Sequence, residues 1–201
     1  LKQMEKLFNV SITYINTVQS NQIYEIKDNL NRRKSSYWIV SSYSRKSDKT
    51  PYEMDLVEQA QIGRDYIPWF QYIYLNLQKN GEMSFLNVKN TVHEIGHAFH
   101  SFFSQNEKSK EKFGWDLIEL PSQFLENFVY QYEVIEYISS HIETKEPLHP
   151  NDFKKLYDLK LFMSGLFLTR FVQMSEMDLI LYSQTEKDPI SIEKESLKKW
   201  Q

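Results

Sequence analysis

The residues whose types and spacing could do chemistry are His93, Glu94 and His97, in the run T-V-H-E-I-G-H-A-F-H from Thr91 to His100. On a helix, positions four apart share one face, with Cβ atoms about 5–6 Å apart. Two imidazoles so placed can close on one tetrahedral zinc ion from the same side. Glu94 directly follows the first histidine, which sets its carboxylate at the flank of such an ion, within reach of a metal-bound water whose proton it can take. The pattern predicts a zinc-dependent hydrolase, most often a peptidase, with His93 and His97 as metal ligands and Glu94 as general base. A short motif can also match by chance, as two solvated histidines and a surface carboxylate. The flanks argue otherwise: Val92, Ile95, Ala98, Phe99, Phe102 and Phe103 make the surroundings apolar, and buried histidines and carboxylates need partners. Gly96 in mid-helix costs about 0.5–1 kcal/mol relative to Ala, which makes best sense if another backbone or a substrate passes close.

A catalytic zinc takes three protein ligands and keeps a fourth position open to water. One extension of the motif would place Gly at 100 and His at 103; His100 and Phe103 stand there, so that arrangement is excluded. The remaining common one takes a Glu from a second helix downstream, and Glu119 is the candidate, in the run from Phe113 to Phe128. The charged segment Gln105–Gly114 allows a turn that folds this second helix back on the first. Asp116 can begin the helix, but Pro121 belongs in a first turn. The helix therefore starts nearer Leu120 or kinks there, and either way Glu119 lies near a helix N-terminus, where the dipole favours a carboxylate.

H-E-I-G-H-A-F-H followed by D-L-I-E-L-P-S-Q-F-L-E-N resembles the thimet-oligopeptidase family of zinc peptidases, nearest its oligopeptidase A and dipeptidyl carboxypeptidase branch. The likeness continues through Glu133–His141, Phe162–Arg170 and Met177–Tyr182. Ile23–Asp28 and Tyr72–Leu77 fall where that family has catalytic-domain strands. The resemblance implies His93, His97 and Glu119 as ligands of one Zn²⁺ per chain and Glu94 as general base. It implies a mainly α fold with a small antiparallel β-sheet (α+β) and a zincin-like core. In this reading residues 1–201 are one domain, part of a larger metallopeptidase catalytic domain, with a strand-rich lobe at 1–82 and a helical zinc-site lobe at 83–201. There are departures. The linker from His97 to Glu119 is slightly short for this branch. The His/Tyr-containing segment that offers donors to the scissile carbonyl in the family has no counterpart in Ser183–Gln201.

The elements that must position these residues can be read in order. With 201 residues, 41% hydrophobic and 15% aromatic, the chain can bury a core of its own. A formal net charge of −3 with mixed signs gives no sign of a nucleic-acid partner and no basic membrane patch. The absence of Cys leaves zinc only N and O ligands and fits a cytoplasmic protein, or an organelle lumen if a targeting segment preceded Leu1. Leu1–Phe8 reads as the end of a helix. Ile23–Ile26 and Tyr37–Tyr43 read as strands across a hairpin-like loop at Lys27–Ser36, and Ser44–Gly63 as polar, then weakly helical. Pro68–Leu77 is the strongest strand, with Trp69, Ile73, Leu75 and Leu77 on one face and Phe70, Tyr72 and Tyr74 on the other. It is either packed on both faces or, as the resemblance implies, set beside the zinc cleft where substrate backbone could add as a further strand. Lys79–Glu82 turns the chain into the motif helix, which Ser84 caps, with Met83 and Val88 as a hydrophobic staple, and which runs to about Ser104. After a loop at Glu143–Asn151, Met163–Tyr182 reads as a long amphipathic helix whose Leu, Phe and Met side chains belong to a core. A polar break at Ser183–Pro189 leads to a short charged helix from Ile190 to Gln201.

Other side chains have two readings each. His100, two turns after His93, is too far to share the metal; it is a packing histidine or a substrate contact. Metal-bound histidines usually donate their second N–H to an acceptor, and Gln123 and Glu126, one and two turns after Glu119, are candidates for that role. His141 and His149 read as solvated and Arg170 as structural. Taken together, the residues predict hydrolysis of short peptides by a zinc-activated water, with no nucleic acid or membrane as partner and, in a longer peptidase chain, its remaining parts as neighbours. The alternative is a zinc-bearing fragment that binds peptides and cuts little, because the donor segment is absent. A third reading, an accidental motif in a structural helical domain, predicts no stoichiometric metal.

Overall fold

The computed structural model describes residues 1–31, 35–42, 52–57, 61–62, 65–66, 69–75, 77, 83–104, 116–183 and 188–200. It forms two compact units, Leu1–Gln131 and Tyr132–Gln201. The first opens with helix α1 (Lys2–Phe8), which ends on Asn9 in the left-handed conformation, a residue type that tolerates it. Strands β1 (Val10–Val18), β2 (Asn21–Asp28), β3 (Ser35–Ser41), β4 (Tyr52–Val57), β5 (Gln61–Ile62), β6 (Asp65–Tyr66) and β7 (Trp69–Leu75) follow, then helices α2 (Phe85–Phe103) and α3 (Leu120–Glu126) and a 3₁₀ turn at Asn127–Tyr130.

Five strands make one sheet in the order β1-β2-β3-β7-β4, with β5 and β6 pairing separately. The hairpin read from β2 to β3 is present, with Lys27 opposite Ser35. The sheet is mixed, which corrects the antiparallel expectation: β3 and β7 run parallel. A parallel pair needs a crossover of a dozen or more residues, and the chain between Ser41 and Trp69 supplies it. Part of that crossover, read as weakly helical, is instead β4, antiparallel to β7; the rest of Ser44–Gly63, apart from β5, lies outside the described residues, as do the turns at 79–82 and 105–114. β7 is held between β3 and β4, so its backbone groups are taken and no substrate strand can add to it. Its packing on the two faces is unequal: Gln71, Ile73 and Leu75 are buried on one, while on the other Phe70 and Tyr72 are half-buried and Tyr74 is exposed.

β1 is absent from the sequence reading, and the reason is its turn. Val18 pairs with Asn21 across two residues, and both of them, Gln19 and Ser20, have positive φ. That is the hairpin geometry for which Asn-Gly is the usual signal, so Gln-Ser announces nothing.

Register puts Val10, Ile26, Trp38, Ile73 and Leu75 on one face of the sheet, where they join Ala98, Phe99 and Phe102 of α2 and Leu125 of α3 in a single buried cluster. Phe99 is its centre, stacked on Phe8 at 4.3 Å and edge-on to Trp38 at 5.0 Å between ring centroids. Phe103, read as buried, is partly exposed. Gln71 sits fully buried in this apolar layer. Its amide donates to the Ala98 carbonyl at 2.9 Å, and its carbonyl accepts from Ser36 Oγ at 3.3 Å and from Trp38 Nε1. Every polar atom of the side chain is thus satisfied, as burial demands, and the sheet is tied directly to α2. Helix α2 begins in a capping box in which Ser84 accepts from the Asn87 N–H and Asn87 returns the bond.

The second unit contains helices α4 (Tyr132–Ile138), α5 (Pro150–Ser183) and α6 (Pro189–Lys199). Asp188 caps α6 through the Ser191 N–H, and Glu176 of α5 accepts from Trp200 Nε1 at 2.8 Å and from Lys199. α5 is longer than read, starting at Pro150. Its apolar side chains are not a core: Phe162 is 82% and Phe171 66% exposed. The physical reason is length, since α5 has 34 residues while α4 and α6 have 7 and 11 and can cover only part of it.

A Cβ at Gly96 would stand 2.5 Å from Ser122 Cα, 3.1 Å from Ser122 N and 3.2 Å from Pro121 O. All three are backbone, so α3 cannot give way locally. Gly96→Ala is expected to destabilise the chain by about 1–3 kcal/mol. Gly165→Ala in α5, where a Cβ meets nothing within 4 Å, should stabilise by about 0.5–1 kcal/mol. Urea unfolding of the two variants beside the parent checks the contrast.

Candidate metal centre

The site is built from α2 and from the N-cap and the last residue of α3. Helical spacing sets His93 and His97 on one side of α2, with ring centroids 4.8 Å apart and Nε2 atoms 3.1 Å apart. Glu119 is the N-cap of α3, with Pro121 in the first turn, as Pro prefers. The approach of Ser122 to Gly96 carries this N-terminus onto α2. Glu119 Oε2 consequently lies 3.1 Å from Nε2 of each histidine. These three side chains are the group among the described residues whose donor atoms, all within 4.8 Å of one another, could hold a metal ion. Zinc binds imidazole nitrogens and carboxylate oxygens at about 2.0–2.2 Å, and atoms 3.1 Å apart fit around one such ion. The side chain of Glu119 is half exposed, so the cluster opens to solvent on that side.

The two histidines are electrostatically unequal. His93 Nδ1 is 2.6 Å from Glu126 Oε1. That hydrogen bond, opposed by burial and helped by the nearby charge of Glu94, raises the His93 pKa. In neutral His93 the proton sits on Nδ1 toward Glu126, which leaves a lone pair on Nε2 facing His97 and Glu119. His97 is shifted the other way: burial lowers its pKa, and the pull of Glu119 does not make up the difference. Its contact with Glu119 is therefore that of a neutral ring near pH 7. Burial pushes the Glu126 carboxyl up, but hydrogen bonds from His93 and from Lys89 outweigh it and hold the pKa down. Lys89 Nζ lies 2.9 Å from Glu126 Oε2.

The remaining residues singled out in the sequence fall as follows. Glu94 is buried on α2 beside the cluster. Of the two candidate acceptors, Gln123 is exposed and Glu126 is the one in contact with a histidine. His100 is half-buried, its pKa lowered by burial. It lines an apolar pocket of about 150 Å³ with Phe8, Gly96, Phe99, Phe103, Pro121, Phe124 and Leu125, a lining that does not include His93, His97 or Glu119. His141 and His149 are exposed in the second unit, and Arg170 binds the Gln173 side chain at 2.7 Å. Two residues that the sequence reading missed belong to the site. Ser122 Oγ stands 2.8 Å from the Glu119 carbonyl and 3.1 Å from its Oε2, and Lys89 reaches Glu126. Ser three residues after a cap and Lys one turn before a histidine are ordinary helix residues, so neither carries a signal of its own.

A motif helix facing a carboxylate from a second helix defines a candidate metallohydrolase centre. The family model for peptidase family M3 matches residues 1–201, and the chain belongs to that family. It is 29% identical over 178 residues to the probable cytosolic oligopeptidase A of Arabidopsis thaliana, a match covering 81% of this chain and 25% of the relative. It is 25% identical over 178 residues to oligopeptidase A of Escherichia coli (strain K12), covering 83% of this chain and 26% of that protein. The organellar oligopeptidase A, chloroplastic/mitochondrial, of Arabidopsis thaliana is 33% identical over 106 residues, covering 51% of the chain and 13% of the relative. The chain thus spans about a quarter or less of the length of these curated relatives. None of the helices among the described residues is long and apolar enough to cross a membrane.

The pair of His93 and Glu126 sets an acid-stability prediction for the metal-free chain. The depressed Glu126 pKa contributes stability that is present above the ordinary carboxylate value and lost as pH falls through the folded one. The raised His93 pKa contributes stability present below the ordinary histidine value and lost as pH rises through the folded one. Glu126→Gln should therefore cost most, about 1–2 kcal/mol, where Glu126 is ionised and His93 protonated, at about pH 4.5–6.5. The gap between parent and variant should shrink on either side of that window, as read from urea midpoints across the pH range.

Proposed function

We propose that this chain carries the zinc centre of a peptidase that hydrolyses short peptides, with His93, His97 and Glu119 holding one Zn²⁺. The observation that carries the reading is the convergence of three donor atoms from α2 and the α3 N-cap in a member of a peptidase family. When bound, the ion supplies a Lewis acid that makes water a nucleophile near neutrality and polarises the scissile carbonyl. Glu94, one residue after the first ligand, takes the proton of the attacking water on its carboxylate and passes it to the leaving amine. Glu126 holds the His93 proton on Nδ1, which leaves the Nε2 lone pair available to a metal that His93, His97 and Glu119 would hold. Ser122 orients the Glu119 carboxylate. His100, at the apolar pocket beside α2, is a candidate substrate contact.

In this reading the α2–α3 pair is a zincin-like core, and residues 1–201 are part of a larger catalytic domain whose other parts complete the peptide site. Relatives named as oligopeptidase A support short peptides as substrates. Their names include cytosolic and organellar forms; we favour the cytoplasm.

Metal analysis of the chain after chelation and reloading tests the centre. One zinc per chain is expected, strongly weakened by Glu119→Ala; no stoichiometric zinc would sink the reading. Glu94→Gln is expected to keep the zinc while cleavage of a quenched peptide by the complete enzyme falls about 10²–10⁴-fold. A variant as active as its parent would remove Glu94 from the role of base, and a parent that binds peptide without cutting it would leave a peptide-binding fragment in place of a peptidase.

A further inference from the structure

Lys89 stands one turn before His93 on α2, and positions four apart on a helix share a face. It reaches across to the last residue of α3. Its Nζ lies 2.9 Å from Glu126 Oε2, while Oε1 of the same carboxylate lies 2.6 Å from His93 Nδ1. Each oxygen of Glu126 is thus taken by a different donor, and both donors belong to α2. One bond alone would leave the carboxylate free to turn about its own axis and the long Glu side chain free to change rotamer. Two bonds, one on each oxygen, to donors one turn apart on the same helix fix its plane. The flanking packing is firm: one turn before Lys89, Phe85 meets Tyr130 edge-on with ring centroids 5.2 Å apart, holding α2 to the 3₁₀ turn that follows α3. The side chains of Lys89 and Glu126 are 27% and 19% exposed, so water competes only partly for these bonds.

We infer that Lys89 is a positioning residue of the metal centre: by anchoring the second oxygen of Glu126 it sets the orientation of the His93 ring and so strengthens metal binding at Nε2. This rests on the reading of His93, His97 and Glu119 as ligands. It also runs against simple electrostatics, which makes the case testable by sign. A lysine near a bound dication repels it, so if Lys89 acted only through its charge, removing it would tighten zinc binding. If it acts through Glu126, removing it weakens binding. Outer partners of ligating histidines typically contribute 10–100-fold in metal affinity. Lys89 lies one bond further out, and about tenfold is expected.

The test is zinc affinity of the full chain at fixed pH, measured by chelator competition. The set is the parent, Lys89→Met, Lys89→Arg, Glu126→Gln, the Lys89→Met/Glu126→Gln double variant and Glu119→Ala, with Lys89→Gln standing in should Lys89→Met fail to fold. Lys89→Met should bind about tenfold more weakly, and Lys89→Arg, which offers the same oxygen a cationic N–H, should recover most of the loss. The double variant should be no weaker than Glu126→Gln alone, since the two residues act in series. Unchanged or tighter binding by Lys89→Met, with Glu119→Ala still strongly impaired, overturns the role of Lys89 and leaves the ligand set standing. A Lys89→Met loss that adds fully to that of Glu126→Gln overturns it too, because the effect then bypasses Glu126. Binding unaffected by Glu119→Ala overturns the ligand set and this inference together.

Discussion

The close approach of α3 to Gly96 is the constraint on which the site depends. Ser122 Cα comes so near that a single added methyl at Gly96 would stand 2.5 Å from it. Helices separated by ordinary side chains keep their axes about 8–10 Å apart, and at that spacing a carboxylate on the α3 N-cap would sit differently over α2. The missing side chain lets Glu119 meet both histidines through one oxygen. It also brings the far end of α3 within reach of Lys89 and His93. The conformational cost of glycine in mid-helix is thereby matched to a contact that no other residue permits.

A second tie holds the same helix from its other side. Gln71 bonds the Ala98 carbonyl from within the sheet, so α2 is attached both to the β7 strand and to α3. Apolar packing of Phe99, Phe102 and Trp38 supplies burial but little direction, whereas the amide of Gln71 defines a point of contact. Direction matters here, because a cluster of donor atoms assembled from two helices tolerates only small shifts. The charges around the histidines then separate their behaviour. His93 is joined to an acidic partner and holds its proton more tightly, while His97 is buried beside it and gives its proton up more readily.

Elements with a strong local code are legible in the chain. Helix α2 runs from its Ser84 cap to Ser104 as its composition implies, and β7 falls within Pro68–Leu77 with Ile73 and Leu75 on the inner face. Elements without such a code are not. β1 is closed by Gln19 and Ser20, neither of which announces a left-handed turn. β4 lies in a polar crossover and owes its state to pairing with β7. Helix α5 shows the opposite mismatch: its Leu, Phe and Met residues look like a core, yet the two short helices of its own unit leave them largely exposed.

What the sequence by itself determined is the chemistry on offer: two histidines one turn apart with a glutamate between them, a capped helix to carry them, and no cysteine to compete for a metal. It also offered Glu119, as the glutamate of a downstream second helix and through the likeness of its flanking run to a peptidase family. Only the tertiary structure decided which groups meet. Glu126 rather than Gln123 reaches His93, and Lys89 and Ser122 hold the two carboxylates. The physical reason is range. Helical periodicity relates residues within a few turns, while the distance from Lys89 to Glu126 is set by how two helices pack, and that packing is decided by one glycine and a serine backbone far apart in the chain.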